Sequence, residues 1–361
     1  MPPRRPLLLA SAVLSMLAAG CGDVQVIPFP GGGSSRETCS ATESCTIVTL
    51  AEGRAQPASL AVDSTHVYWV DRGSKPGTAA ILRTLKLGGP VELLAEGQGL
   101  VSSLALDQDS VYWTNLASEG LDPAFVAVMK VKKEGGVAEA LSPVQSNPWG
   151  VATGEGQVFW TNLPPDGKPA PAGELWSMPA GGGAPTLLAS GQKTPISVAQ
   201  HHGRVFWLNG GIAPGEESAV MSVPTSGGAP VTLAAGAFFP LGLGVDDSGL
   251  YFSNNRSEAG LGNVMKVPLD GAEATTLADG QDHPSSVVPF GDHLYWTNAG
   301  SMDEGSRGAV MKLATGADEP TPMIEGEMAH PWGLAVDEAH VFWTDGAAGK
   351  VLRMDRCCPA K

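Results

Sequence analysis

The chain has 361 residues, with Gly 47 and Pro 29, only 16% charged residues and a formal net charge of −15. So acidic a balance excludes a nucleic-acid binder, which needs a basic stripe to displace counterions from phosphate, and by itself it means little more than solubility. High Gly and Pro with low charge fit many short strands joined by tight turns, and no convincing amphipathic helix follows residue 20.

Arg4 and Arg5, followed by the apolar run from Leu7 to Ala19, form an export signal over residues 1–20, too short for an ordinary spanning helix. It ends in Leu17-Ala18-Ala19-Gly20-Cys21, which resembles the bacterial lipoprotein signal. That resemblance implies that Cys21 is acylated, becomes the first mature residue and ties the protein to a membrane of the cell envelope, the outer membrane or cell surface being favoured. The departure is Ala18, which stands where the family usually has Leu, with Leu17 one place further back. The other reading is an ordinary secretory signal cut near Gly20. Residues 21–44 carry Pro28, Pro30 and Gly31-Gly32-Gly33-Ser34-Ser35 and too little apolar content to fold, so they are expected to be a flexible tether.

From residue 45 to the end one pattern recurs. Val67-Tyr68-Trp69-Val70-Asp71 returns as Val111-Tyr112-Trp113-Thr114-Asn115, Val158-Phe159-Trp160-Thr161-Asn162, Val205-Phe206-Trp207-Leu208-Asn209, Leu250-Tyr251-Phe252-Ser253-Asn254, Leu294-Tyr295-Trp296-Thr297-Asn298 and Val341-Phe342-Trp343-Thr344-Asp345. The steps from one central Trp or Phe to the next are 44, 47, 47, 45, 44 and 47 residues. That is the period of a four-stranded propeller blade. An inner strand of small residues precedes each copy and starts near a proline, as at Pro57, Pro148, Pro195, Pro240, Pro284 and Pro331. A third strand follows, as in Ala127-Val128-Met129-Lys130-Val131, and then an outer strand. Pairs such as Gly88-Gly89 and Gly227-Gly228 are expected to join these two as two-residue hairpins.

Thr46 to Gly53 aligns with the outer strand Pro90 to Gly97, so it is a fourth strand lacking its first three. The last repeat has three strands, near 333–336, 341–345 and 350–354, and then no fourth. A ring must close or leave an edge unpaired. The expected fold is therefore all-β, a seven-bladed β-propeller of four-stranded antiparallel blades over 45–361, its last blade closed by the amino-terminal strand. With Cys21 acylated, Cys39, Cys45, Cys357 and Cys358 remain, an even number in an exported chain. Closure brings Cys45 beside Cys357-Cys358, so one of that pair is expected to bridge Cys45 and the other Cys39. The competing arrangement joins Cys39 to Cys45 and the adjacent cysteines to each other.

The Y-W-T-N and F-W-T-N repeats resemble the YWTD propellers of low-density-lipoprotein-receptor ectodomains, and in period and setting the YWTD-like or TolB-like propeller lipoproteins of bacteria. The resemblance covers about residues 45–361. Receptor propellers of this kind have six blades where this chain counts seven, and Asn mostly replaces their final Asp.

Loops from the second to the third strand are long and dissimilar, from Leu116 to Phe125, Leu163 to Gly173, Gly210 to Ser218, Asn255 to Gly262 and Ala299 to Gly308. Variable loops on a rigid scaffold are the usual home of binding. On the same face, at the entry to the inner strands, lie Asn147, Trp149, Phe238, Phe239, His283, His330 and Trp332. Aromatic rings beside His and Asn suit a carbohydrate, peptide or protein ligand, unless they only plug the funnel. The Asx residue ending each motif is expected to be structural, bonding nearby backbone. His66, His293 and His340 share one repeat position at the start of the motif strand and are expected to be surface or turn residues, and His201-His202 is expected to be a turn. No G-x-S-x-G, H-E-x-x-H, P-loop or dinucleotide pattern occurs, and no cofactor is implied. The favoured function is a membrane-anchored binding module without chemistry. The alternatives are a metal-assisted lyase or lactonase-type enzyme using His283 and His330, and a structural envelope scaffold.

Overall fold

The computed structural model describes residues 45–357 except 76, 117–121, 123–125, 165–171, 211–217, 238, 256–259 and 301–307. Cys21, Cys39, Cys358, Phe238, the export signal and the tether lie outside the described residues.

Seven four-stranded antiparallel sheets follow one another around a ring. Blades 1 to 6 span 57–98, 100–140, 148–192, 195–237, 240–281 and 284–328, each running from inner to outer strand in chain order. The seventh combines Pro331–Val336, His340–Asp345 and Lys350–Asp355 with the amino-terminal strand Val48–Ala51. Val48 pairs with Arg353, Thr49 with Leu352 and Ala51 with Val351. The inner strands touch in a closed cycle, blade 7 against blade 1 included, so the molecule is a seven-bladed β-propeller closed as expected.

Each motif strand is buried on both faces because successive side chains point into opposite seams between blades. In the seam between blades 1 and 2, Tyr68, Val70 and Ile81 meet Leu104, Val111 and Trp113. The same exchange of one blade's Tyr or Phe for the next blade's Trp joins Tyr112 to Trp160, Phe159 to Trp207, Tyr251 to Trp296 and Tyr295 to Trp343. It also closes the ring, where Phe342 shares a cluster with Trp69, Leu50 and Ala51. All six motif tryptophans are fully buried. The core is thus divided into wedges and has no single centre.

At the axis the pairing of inner and motif strands slips in every blade, for example between Pro331 and Leu334. The bulge removes backbone groups from the ladder, and a buried group left unpaired is costly. The motif hydroxyl meets this need on both sides. Thr344 Oγ1 accepts the Gly333 N–H of its own blade (2.8 Å) and donates to the Ala58 carbonyl of blade 1 (2.9 Å). Thr161, Ser253 and Thr297 do the same, donating to the carbonyls of Ile196, Ser285 and Trp332 at 3.0, 2.7 and 3.0 Å. Thr114 likewise donates to the Trp149 carbonyl. Glycine is required at Gly333, where a Cβ would lie 2.5 Å from the Ala58 carbonyl oxygen. A part-buried ion pair between Lys86 of blade 1 and Asp337 of blade 7 (2.6 Å) fastens the closing seam at its other end.

The expectation of two-residue hairpins between third and outer strands is corrected. The connection after Leu85 runs to Glu92, and the Gly pair closes a β-turn within it. The N–H of Gly88 donates to Leu85, of Gly135 to Lys132, of Gly182 to Pro179, of Gly227 to Pro224 and of Gly271 to Pro268. All five glycines have positive φ.

Replacing Thr344 by Val leaves the Gly333 N–H and the Ala58 carbonyl buried and unpaired, and should cost about 2–4 kcal/mol in urea denaturation. Thr344→Ser, which keeps the hydroxyl, should stay within about 1 kcal/mol of the parent.

Candidate functional site

Two groups of residues at the loop face separate by whether the repeat explains them. The Asx residues that end the motif strands are explained. Asn115 Oδ1 accepts the Gly99 N–H (2.7 Å), while Asp71 and Asp345 bind backbone N–H groups of Ala55 and Gly73, and of Ala329, His330 and Ala348. They anchor the connections between blades, as the sequence suggested.

Sequence reasoning missed their partner. Gln98, Gln145, Gln192 and Gln281, from the end of the preceding blade, each accept the indole N–H of the motif Trp at 3.0–3.2 Å. The same oxygen accepts the Asn Nδ2 at 2.9–3.3 Å. The signal was present, because Gln stands 15 residues before the Trp wherever the motif is Trp-x-Asn. Where Asp ends the motif, Arg54 or Met328 holds that place, and the N–H groups of Trp69 and Trp343 are without a partner.

The residues proposed from sequence lie on two tiers at the mouth of the axis. Asn147, Phe239, His283 and His330 share one repeat position, immediately before the inner-strand proline, and all are partly exposed. Their carbonyls accept the N–H of Leu163, Asn255, Ala299 and Gly346, which ties each to its own motif strand. Gln56, Thr194, Phe239 and His283 of this tier have positive φ, at 68, 47, 49 and 53°. Such a backbone costs a non-glycine residue about 1 kcal/mol, and its recurrence assigns it to the connection itself.

One step further in lies the second tier, Ala58, Ser102, Trp149, Ile196, Leu241, Ser285 and Trp332. Trp149 in blade 3 and Trp332 in blade 7 stand across the ring from each other and are only 3% and 8% exposed. Trp149 belongs to a cluster with Leu116, Leu163 and Ile196, Trp332 to one with Ala58 and Ala299, and Leu241 packs against both. The indole N–H of each is buried without a hydrogen-bond partner. The His330 ring stacks on Trp332, with centroids 5.4 Å apart and an interplanar angle of 21°. Both of its nitrogens are buried and make no well-formed hydrogen bond. Burial pushes the His330 imidazole below its ordinary value. His283 adds to that, while the Ala299 backbone and Asp345 pull the other way without overcoming it.

His283 Nδ1 lies 2.7 Å from Asp282 Oδ1. Chemically the mouth therefore offers a neutral imidazole and two indole donors over an apolar floor. Among the described residues, His283 and His330 do not gather with a third metal-ligating side chain.

No family model matches the chain. Among solved structures it is similar to a catalytically inactive virginiamycin B lyase from Staphylococcus aureus with quinupristin, at 15% identity over 86% of this chain and 99% of that one, TM-score 0.64. It is also similar to an oligogalacturonate lyase in complex with manganese, at 12% identity over 87% and 94%, TM-score 0.63. A chain of a nidogen/laminin complex matches at 17% identity over 71% and 92%, TM-score 0.51. At these identities the likeness is one of fold.

Because the folded protein holds His330 below its unfolded pKa, the unfolded chain takes up the proton first. The stabilising contribution is complete above about pH 6.5 and is lost as pH falls toward the folded value. His330→Phe should therefore lose less stability than the parent between about pH 7.5 and 5.5, as read from urea midpoints.

Proposed function

We propose that this protein is an exported lipoprotein of the cell envelope, held by acylated Cys21 and the 21–44 tether, whose propeller binds a ligand at the loop face without chemistry on it. The observation that carries the binding assignment is the pair of buried indoles, Trp149 and Trp332, whose N–H groups have no acceptor among the described residues. A buried donor without a partner costs about 1–3 kcal/mol, which an acceptor oxygen reaching down the axis recovers. The two ring nitrogens of His330, buried and without a well-formed hydrogen bond, supply a further donor and an acceptor between them and the rim. A carbohydrate or peptide fits this chemistry, offering carbonyl or hydroxyl oxygens to the donors and an apolar face to the rings. Asn147, Phe238, Phe239 and His283 would form the rim.

Titrating the protein with soluble oligosaccharides and peptides, followed by intrinsic tryptophan fluorescence, tests this reading. Trp149→Phe with Trp332→Phe keeps an aromatic ring at each place and removes both N–H groups, and should weaken binding, followed by calorimetry since the reporting indoles are gone, about tenfold or more. Undiminished binding by that double variant would overturn the site. The metal-assisted lyase or lactonase alternative rests on His283 beside His330. Turnover of quinupristin, or of oligogalacturonate with manganese, that disappears in the His283→Ala, His330→Ala variant would replace the non-catalytic reading with the enzymatic one.

Export also accounts for the cysteines. Cys45 and Cys357 are both disulfide-bonded. We assign Cys45 to one member of the Cys357-Cys358 pair and Cys39 to the other, a clasp over the closing seam. Non-reducing peptide mapping should recover these cross-links together with an acylated peptide beginning at Cys21. An unmodified amino terminus would remove the anchor.

A further inference from the structure

On the face opposite the long loops, the turn of blade 4 carries His201 and His202 and the turn of blade 5 carries Asp247. In four other blades the position of His201 holds Asp63, Asp107, Asp246 or Asp337, whose carboxylate folds back onto the N–H groups of its own turn. Blade 4 has given up that cap. With φ of 45° at His202 and 69° at Gly203, the turn is of the tight primed kind and sends its two imidazoles out side by side, centroids 4.0 Å apart.

Both rings converge on one oxygen of the next blade. His201 Nε2 lies 2.9 Å and His202 Nε2 2.7 Å from Asp247 Oδ1. The three atoms lie within 4.8 Å of one another. His202 and Asp247 are open to solvent, and His201 is largely covered.

We propose that His201, His202 and Asp247 form a binding site for a divalent transition metal of the zinc class, bridging blades 4 and 5. Two imidazoles and one carboxylate match zinc, whereas calcium and magnesium prefer sites built of oxygen. Ligand bonds of about 2.0–2.1 Å place tetrahedral neighbours roughly 3.3 Å apart. Asp247 Oδ1 therefore has to retreat only about half an ångström from each nitrogen, which rotation of an exposed side chain provides. The remaining coordination position faces solvent. The setting is acidic, with Glu155 accepting the Gly203 N–H (2.9 Å) and Asp246 next in sequence, while Lys266 is engaged with Ser248 (3.1 Å).

The location has a mechanical rationale. Blades 1 and 4 carry Val70 and Leu208 where the others carry the motif hydroxyl, and in the seam after blade 4 the Leu241 carbonyl accepts from Ser197 of the inner strand instead. The seam after blade 1 has an ion pair between Lys133 and Asp63 (3.1 Å) on this same face. The seam after blade 4 has the His201, His202 and Asp247 cluster in the corresponding place.

The test is calorimetric titration of the tag-free, metal-stripped full chain with zinc chloride. One equivalent should bind with a dissociation constant on the order of micromolar, and the melting temperature should rise with free zinc. His202→Ala and Asp247→Asn, both exposed, should each weaken binding by about tenfold or more. No uptake by the parent at about 100 μM zinc would overturn the site, because such a constant predicts near-saturation there. Uptake unchanged in the double variant would also overturn it, by placing the metal elsewhere, for instance at His283 and His330.

Discussion

A hydroxyl group at the fourth place of the motif holds the propeller's axis together. The inner strands must bulge to crowd around a common centre, and bulging strands release backbone groups that water cannot reach. In four of the seven blades a Thr or Ser takes an N–H from its own blade and gives its proton to a carbonyl of the next, and in a fifth Thr114 makes the second of these bonds. The bond is local in its chemistry and long-range in its effect, since the last link joins residues 344 and 58. Small residues at the axis, glycine at Gly333 and the proline that opens most inner strands all follow from the close approach this bonding demands.

Repetition sorts the polar groups. Whatever recurs from blade to blade, such as Gln281 with Trp296 and Asn298, satisfies the backbone or a neighbouring blade. What departs from the repeat calls for a different explanation. Trp149 and Trp332 stand where other blades place Ala, Ser, Ile or Leu, and they carry unpaired N–H groups to the mouth of the axis. His201 replaces the turn-capping Asp and faces the neighbouring blade instead of its own turn. The two departures occupy opposite faces of the ring, so a ligand at the mouth and a cation beneath the fourth seam would not compete for space.

The fold was legible in the sequence because its signals are periodic. The spacing of Trp69, Trp113, Trp160 and their successors revealed the blades, and the orphan strand beginning near Thr46 revealed the closure. Turn geometry was less legible, since Gly88-Gly89 suits a two-residue hairpin as well as the longer connection it closes. The Gln that satisfies each motif Trp was visible as a fixed interval, but its meaning needed the side-chain oxygen placed between two donors. At the candidate site, the tier of Trp149 and Trp332 was legible as an exception to the repeat. The burial of both rings was not, because exposure at an axis depends on residues from every blade, Leu241 among them. Asp247 could not be joined to His201 and His202 from local pattern, as it lies one repeat further along the chain.

The shared seventh sheet also governs when the ring can form. Its outer strand precedes blade 1 in the chain and its other three follow blade 6, so this sheet cannot be assembled until all six intervening blades have been made. Blades 1 to 6 are contiguous hairpin units that can be added one after another, but the final register between Val48 and Arg353 brings together the first and last strands of the propeller. Such a pairing carries a large loop-closure entropy and comes late. Until then the flank of blade 1, with Trp69, Leu60 and Val67, has no apolar partner. The nascent chain therefore carries an adhesive edge while blades 2 to 6 are made, and loss of the three strands from Pro331 to Asp355 would leave six wedges with two open ends in place of a slightly smaller ring.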